Sequence, residues 1–255
     1  MVRAAAATGL TVLGWVLATT AALSFGVAQA GTVNAAVAAN FIKVAEQLGA
    51  GFKAKTGDEV VFSFGATGAL YTQITQGAPF DVFLSADDKR TAMAIAEGYG
   101  VAGTDFTYAV GKVVLYSPTI DVTDGAAVLA ASAFQHIAIA DPKAAPYGAA
   151  GVAVIEALGL TAALTPKIVT GENITQTLQF VESGNAEIGF VALSQVMGKP
   201  AAQVWLPPQE DYPAIAQNAV LLKVGEGNAA AKAFLEYLRS VEAIAVIEAA
   251  GYEVE

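Results

Sequence analysis

Apolar positions in this chain follow two rhythms that take turns. Thr32 to Ala38 alternates with the period of two of a strand, and Phe41, Val44, Ala45, Leu48 and Phe52 follow at helical spacing until Gly57 stops the run. The plan then repeats, with a strand over Glu59 to Phe64, the turn Gly65-Ala66-Thr67-Gly68, a helix from Ala69 to Gln76, a strand over Phe80 to Leu84, and a helix start at Asp87-Asp88. Phe106 to Pro118 (FTYAVGKVVLYSP) reads as one long strand with Gly111 inside it, suited to a chain passing from one lobe to another. A second series follows: a helix near Ala126 to Ala133, a strand over Ile137 to Ala140, a helix behind Tyr147, a turn at Thr170 to Asn173, a helix over Ile174 to Glu182 and a strand over Glu187 to Ala192. Val204 to Val224, interrupted by Pro207, Pro208 and Pro213, reads as a return crossing, and two helices, Ala229 to Arg239 and Val241 to Ala250, close the chain. Strands alternating with helices predict an α/β fold with mainly parallel sheets. Two crossings predict two lobes with a cleft between them, a favoured place for a ligand. Lobe 1 is expected over residues 31–111 and 205–255, and lobe 2 over residues 112–204.

The first thirty residues break this rhythm. Arg3, the apolar run from Leu10 to Phe25 and the A-x-A pattern Ala28-Gln29-Ala30 have the layout of an export signal cleaved after Ala30, with an uncleaved anchor as the alternative. Residues 1–30 are therefore expected to be a signal peptide and the remainder to be periplasmic. The chain has no cysteine, so neither disulfides nor a lipidated Cys enter the picture. With 55% hydrophobic and 14% charged residues, an ordered core is expected rather than disorder. Loss of Arg3 with the leader leaves 12 basic against 23 acidic residues, a net charge of −11 that disfavours nucleic acid as a partner.

Catalytic signatures are scarce. A single histidine, His136, excludes H-E-x-x-H, and neither G-x-S-x-G nor a P-loop occurs. Four strand-to-helix junctions offer binding chemistry instead. Ala39-Asn40 precedes the first helix, where Asn40 can cap or turn its amide outward; Thr67 brings a hydroxyl within its glycine-flanked turn; Tyr147 stands at a helix start after two prolines; and Ile174 follows Asn173, able to offer only a backbone N–H. First-turn N–H groups lack intrahelical partners and carry partial positive charge, so such junctions suit an anion if they converge. Each charge-assisted hydrogen bond contributes about 1.5–3 kcal/mol and each helix terminus roughly 0.3–2 kcal/mol, so half a dozen neutral donors can offset the desolvation of a small anion. Donors without acceptors beside them favour a fully ionised species. A ferric site built from tyrosine oxygens and carboxylates remains an alternative at this stage.

The blocks FSFGATGALYTQITQGAPFDVFLSADDK, FTYAVGKVVLYSP, HIAIADPKAAPYGAAG and AEIGFVALSQV, in that order, resemble the substrate-binding proteins of bacterial molybdate ABC transporters, which have the type II periplasmic binding protein fold. The resemblance extends from Thr32 to Tyr252. It implies a two-lobed receptor, not an enzyme, that captures molybdate, and tungstate as well, as a tetrahedral dianion and delivers it to a membrane permease. It further implies a monomer without a cofactor, holding the metal only as its oxyanion. Matched position by position, the ligand residues implied are Ala39 and Asn40, Thr67, Tyr147 and Ile174. Two departures stand out. The AxS motif near the first strand is replaced by AVAANF, and Ala192 occupies a place where many members carry a ligand tyrosine, a phenol that Tyr147 supplies instead. Another oxyanion, ferric ion, or an exported enzyme on the same fold are the other readings, since fold does not fix function.

Overall fold

A computed structural model describes residues 1, 2, 4 and 30–254; the expected signal peptide lies almost wholly outside them. The first lobe opens with β1 (Thr32–Ala38), α1 (Ile42–Thr56), β2 (Glu59–Gly65), α2 (Thr67–Thr75), β3 (Val82–Leu84), α3 (Lys89–Ala96) and β4 (Phe106–Gly111). The second contains β5 (Val113–Tyr116), α4 (Gly125–Ala131), β6 (Ile137–Ala140), α5 (Pro146–Ala157), α6 (Thr161–Leu164), β7 (Ile168–Gly171), α7 (Ile174–Glu182), β8 (Ile188–Ala192) and β9 (Val204–Trp205). The chain then returns to the first lobe with β10 (Ile215–Leu221), α8 (Ala229–Leu238) and α9 (Val241–Ala249).

Two five-stranded sheets result, in the orders β2-β1-β3-β10-β4 and β7-β6-β8-β5-β9. In each, four strands share one direction and one runs against them, β10 in the first and β5 in the second. The mainly parallel α/β fold expected from the sequence is thus present. The antiparallel strand of each sheet is the one that follows a crossing between lobes, which frees it from the βαβ rule that keeps the other strands parallel.

The period of two in β1 divides its side chains between two apolar layers. Val33, Ala35 and Val37 join Phe41, Leu48, Phe52 and Phe234 on one face, while Ala36 joins Leu70, Ile74 and Phe83 on the other. The second sheet is covered in the same way, by a large core around Leu115, Ile139, Val154 and Phe190 and a smaller one around Tyr116, Val181 and Val191.

Two details differ from the pattern in the sequence. Phe106 to Pro118 is not one strand: it breaks at Lys112, with β4 in the first sheet and β5 in the second. Gly111-Lys112, a glycine followed by the one charge in the run, marks the point where the chain changes partner. The return crossing also begins later than residue 205, because Trp205 pairs with Leu115 in the second sheet. Its ring packs against Gly125, where a Cβ would lie 2.3 Å from the indole, so a glycine at the start of α4 admits the tryptophan.

Candidate functional site

The carboxyl end of β1 and the starts of α2, α5 and α7 meet where the lobes touch. Their residues enclose a cavity of about 10 Å³ lined by Ala38, Ala39, Asn40, Gly65, Ala66, Thr67, Ala86, Ala145, Pro146, Tyr147, Asn173 and Ile174. It is far smaller than the roughly 300–1,000 Å³ of sites for drug-sized ligands, which leaves it to a single small species. All five residues singled out from the sequence, Ala39, Asn40, Thr67, Tyr147 and Ile174, line this one cavity, and all are at most 5% exposed. No lysine, arginine, aspartate or glutamate is among the lining residues. Glu172, beside the fourth junction, is exposed.

Thr67 and Ile174 are the first residues of α2 and α7, and Tyr147 is the second of α5, behind Pro146. Their N–H groups therefore have no intrahelical acceptor. At α7 the Asn173 side chain accepts from the N–H groups of Thr175 and Gln176, both at 3.0 Å, and so caps the amides behind Ile174. Asn40 departs from the capping role open to it in the sequence. It sits inside a short 3₁₀ turn, Ala39–Phe41, that runs into α1, with no side-chain cap at either start. Its Nδ2 instead donates to Gln217 Oε1 at 2.8 Å and to the Tyr252 hydroxyl at 2.9 Å.

The two hydroxyls in the cavity wall share one arrangement. Thr67 Oγ1 accepts from the Ala86 N–H at 3.0 Å, and the Tyr147 hydroxyl accepts from Gln217 Nε2 at 3.2 Å. In each case a protein N–H occupies the acceptor side of the oxygen and leaves its proton to be donated. Burial, reinforced by the nearby Tyr252 and Tyr108, holds the Tyr147 phenol well above its ordinary pKa. The phenol is thus protonated and able to donate; among the described residues no group of three or more His, Cys, Asp or Glu side chains converges to hold a ferric ion.

Behind this wall lies a buried network that the motifs did not reveal. Tyr108 shares its one proton between Gln217 Oε1 and Ser85 O, each at 3.2 Å, and Tyr252 donates to Asn40 O at 3.0 Å. Ser194 also donates to Asn40 O at 3.2 Å. The one available signal was a polar pair, Gln217-Asn218, inside the otherwise apolar β10; Gln217 is fully buried. Ala192, where a family tyrosine was expected to be replaced, is buried beside Val113 and does not line the cavity. A wider, mainly apolar groove shares Ala39 and Asn40 and runs between α1, α7 and α9, but has no comparable convergence of helix starts.

Contacts between the lobes seal the cavity. Gly68 N donates to Ala144 O at 2.8 Å, Arg90 to Lys143 O at 2.6 Å and Thr175 Oγ1 to Ala39 O at 3.2 Å. The conformation is closed.

Residues 33–253 match the family model described as bacterial extracellular solute-binding protein. The molybdate-binding protein ModA of Rhodobacter capsulatus is 52% identical over 241 residues, 93% of this chain and 96% of that protein. ModA of Azotobacter vinelandii is 50% identical over 229 residues, 88% of this chain and 91% of that protein. The solved structure of an Azotobacter vinelandii periplasmic molybdate-binding protein superimposes with a TM-score of 0.83 at 40% identity, covering 88% of this chain and 99% of that one. The chain belongs to the bacterial extracellular solute-binding protein family and, within it, stands with the ModA molybdate-binding proteins.

Proposed function

We propose that this chain is a periplasmic receptor that captures molybdate, and tungstate with it, between its two lobes and delivers the oxyanion to the permease of an ABC transporter. The carrying observation is the charge-free cavity where four junctions meet, with the first-turn amides of three helices and two hydroxyls whose acceptor sides are already taken. Such a wall offers hydroxyl and amide protons and no charged side chain, which matches a fully ionised tetrahedral dianion. The relatives at half identity are named for molybdate binding, and transport rather than catalysis follows from them. In this reading Thr67 and Tyr147 hold the anion through their hydroxyls, and Ala39, Asn40 and Ile174 through their backbone N–H groups, since both side-chain protons of Asn40 are taken by Gln217 and Tyr252. With the chain's negative charge repelling anions at long range, selection rests on local donor geometry and cavity size.

Export and processing fit the same role. Gly31 N lies 2.7 Å from Asp58 Oδ1. Cleavage after Ala30 would make that nitrogen an ammonium and the contact an ion pair, tying the new terminus to the first lobe. Calorimetric titration of the mature chain with molybdate, tungstate and sulfate tests the function. Molybdate and tungstate are expected to bind far more tightly than sulfate; sulfate binding as tight or tighter would overturn the assignment.

A further inference from the structure

We infer that Gln217 is a positioning residue that fixes the Tyr147 phenol as a proton donor to the bound anion and does so only when the lobes are closed. The inference rests on the oxyanion reading above and adds to it a residue outside the cavity wall. Gln217 lies in β10 of the first lobe, whereas Tyr147 lies in α5 of the second, so the 3.2 Å bond from Nε2 to the phenol spans the interface. The sense of that bond follows from the other end of the amide: Oε1 accepts from Asn40 Nδ2 at 2.8 Å and from Tyr108 at 3.2 Å. With its carbonyl engaged in this way, Gln217 presents N–H to Tyr147 and leaves the phenol proton to a partner other than itself, which in this reading is the bound anion.

The backbone makes room for this contact at one place. A Cβ on Gly111 would sit 1.9 Å from the Tyr147 hydroxyl and 2.9 Å from Gln217 Nε2. Glycine at the last position of β4, next to the crossing, thereby keeps the bond available. Asn40, in the same lobe as Gln217, lines the cavity and holds the Gln217 amide in this orientation.

A double-mutant cycle reads the coupling directly. Sodium molybdate is titrated calorimetrically into the mature wild-type chain, Gln217→Met, Tyr147→Phe and the double variant, with thermal melts confirming that each is folded. Gln217→Met is expected to weaken molybdate binding by about 10- to 100-fold when Tyr147 is present, as loss of one charge-assisted hydrogen bond would. In the Tyr147→Phe background it is expected to cost less than about threefold. Equal losses in both backgrounds would show a merely structural role and overturn the inference. Should Gln217→Met fail to fold, Gln217→Glu serves, because its carboxylate keeps the Asn40 and Tyr108 bonds yet draws the phenol proton away from the anion. Its molybdate affinity is expected to drop by more than 10-fold, and an affinity within threefold of wild type would overturn the inference. Tyr252→Phe removes a second phenol near Tyr147, and the 147–217 coupling is expected to survive it; its disappearance would move the role to Tyr252. Failure of the wild-type chain to bind molybdate would sink the oxyanion reading itself, a different result from additivity within the cycle.

Discussion

Tyr147 joins both halves of the chemistry, a buried neutral phenol and a place at a helix start. Replacing it with Phe keeps the ring among its apolar neighbours and removes one donor, so molybdate binding is expected to weaken by about 1.5–3 kcal/mol by calorimetry with little change in melting temperature. The phenols also set the response to alkali. Burial raises the pKa of Tyr108, Tyr147 and Tyr252 above the ordinary value of 10.0. Below about pH 10 these groups are protonated in both folded and unfolded chains and their contribution to stability is constant. As pH rises through the unfolded value toward the folded ones, only the unfolded chain releases protons, so stability falls by up to roughly 1.4 kcal/mol per pH unit for each tyrosine. Urea unfolding followed from pH 8 to 11 is expected to show a flat region and then this decline, with a shallower slope in Tyr147→Phe. An equally steep slope in that variant would mean that Tyr147 is not among the groups responsible.

At the level of elements, the starts of α2, α5 and α7 give the cavity its character, and their legibility differed for physical reasons. Pro146 and Asn173 have strong local preferences, for the first turn and the cap respectively, and both stand where those preferences put them. Asn173→Ala removes the acceptor for two amides of α7 and is expected to cost about 1 kcal/mol of stability in urea unfolding, with weaker molybdate binding as the Ile174 amide loses its fixed aim. At α2 the expected start, Ala69, fell two residues late, because Thr67 serves as a first-turn residue whose hydroxyl bonds to Ala86 rather than as part of a turn. Tertiary partners decided the rest. The break at Lys112 depends on which sheet each half joins, and the place of Gln217 depends on Asn40 and Tyr108, at sequence separations of 177 and 109 residues that no local pattern spans. The alternation of strands and helices was readable because it is imposed by burial within each element. Pairing between lobes was not, because it comes from the closed arrangement as a whole.

That arrangement is held on the cleft side by contacts that never touch the cavity. Arg90 is paired with Asp87 within the first lobe and reaches Lys143 O in the second, while Gly68 N meets the next carbonyl, Ala144 O, at 2.8 Å. Residues 143 and 144 immediately precede α5, so the same two bonds that close the lobes also set Tyr147 against the cavity. An anion bound between the lobes shifts the equilibrium toward closure only by what it gains there, and these contacts add to that gain without recognising the anion. Arg90→Gln should therefore act on escape rather than capture. Its contact is exposed, which limits the effect, and a three- to tenfold faster dissociation of molybdate with little change in association rate is expected in stopped-flow measurements. Gly68→Ala goes further, because its Cβ would lie 3.1 Å from Ala144 Cα and crowd the closed state itself. Small-angle scattering of the wild-type chain is expected to show compaction on adding molybdate, and of Gly68→Ala a smaller one at equal saturation. An identical radius of gyration with and without molybdate in the wild type would mean that the anion enters and leaves without the lobes parting, and the faster dissociation of Arg90→Gln would then need another cause.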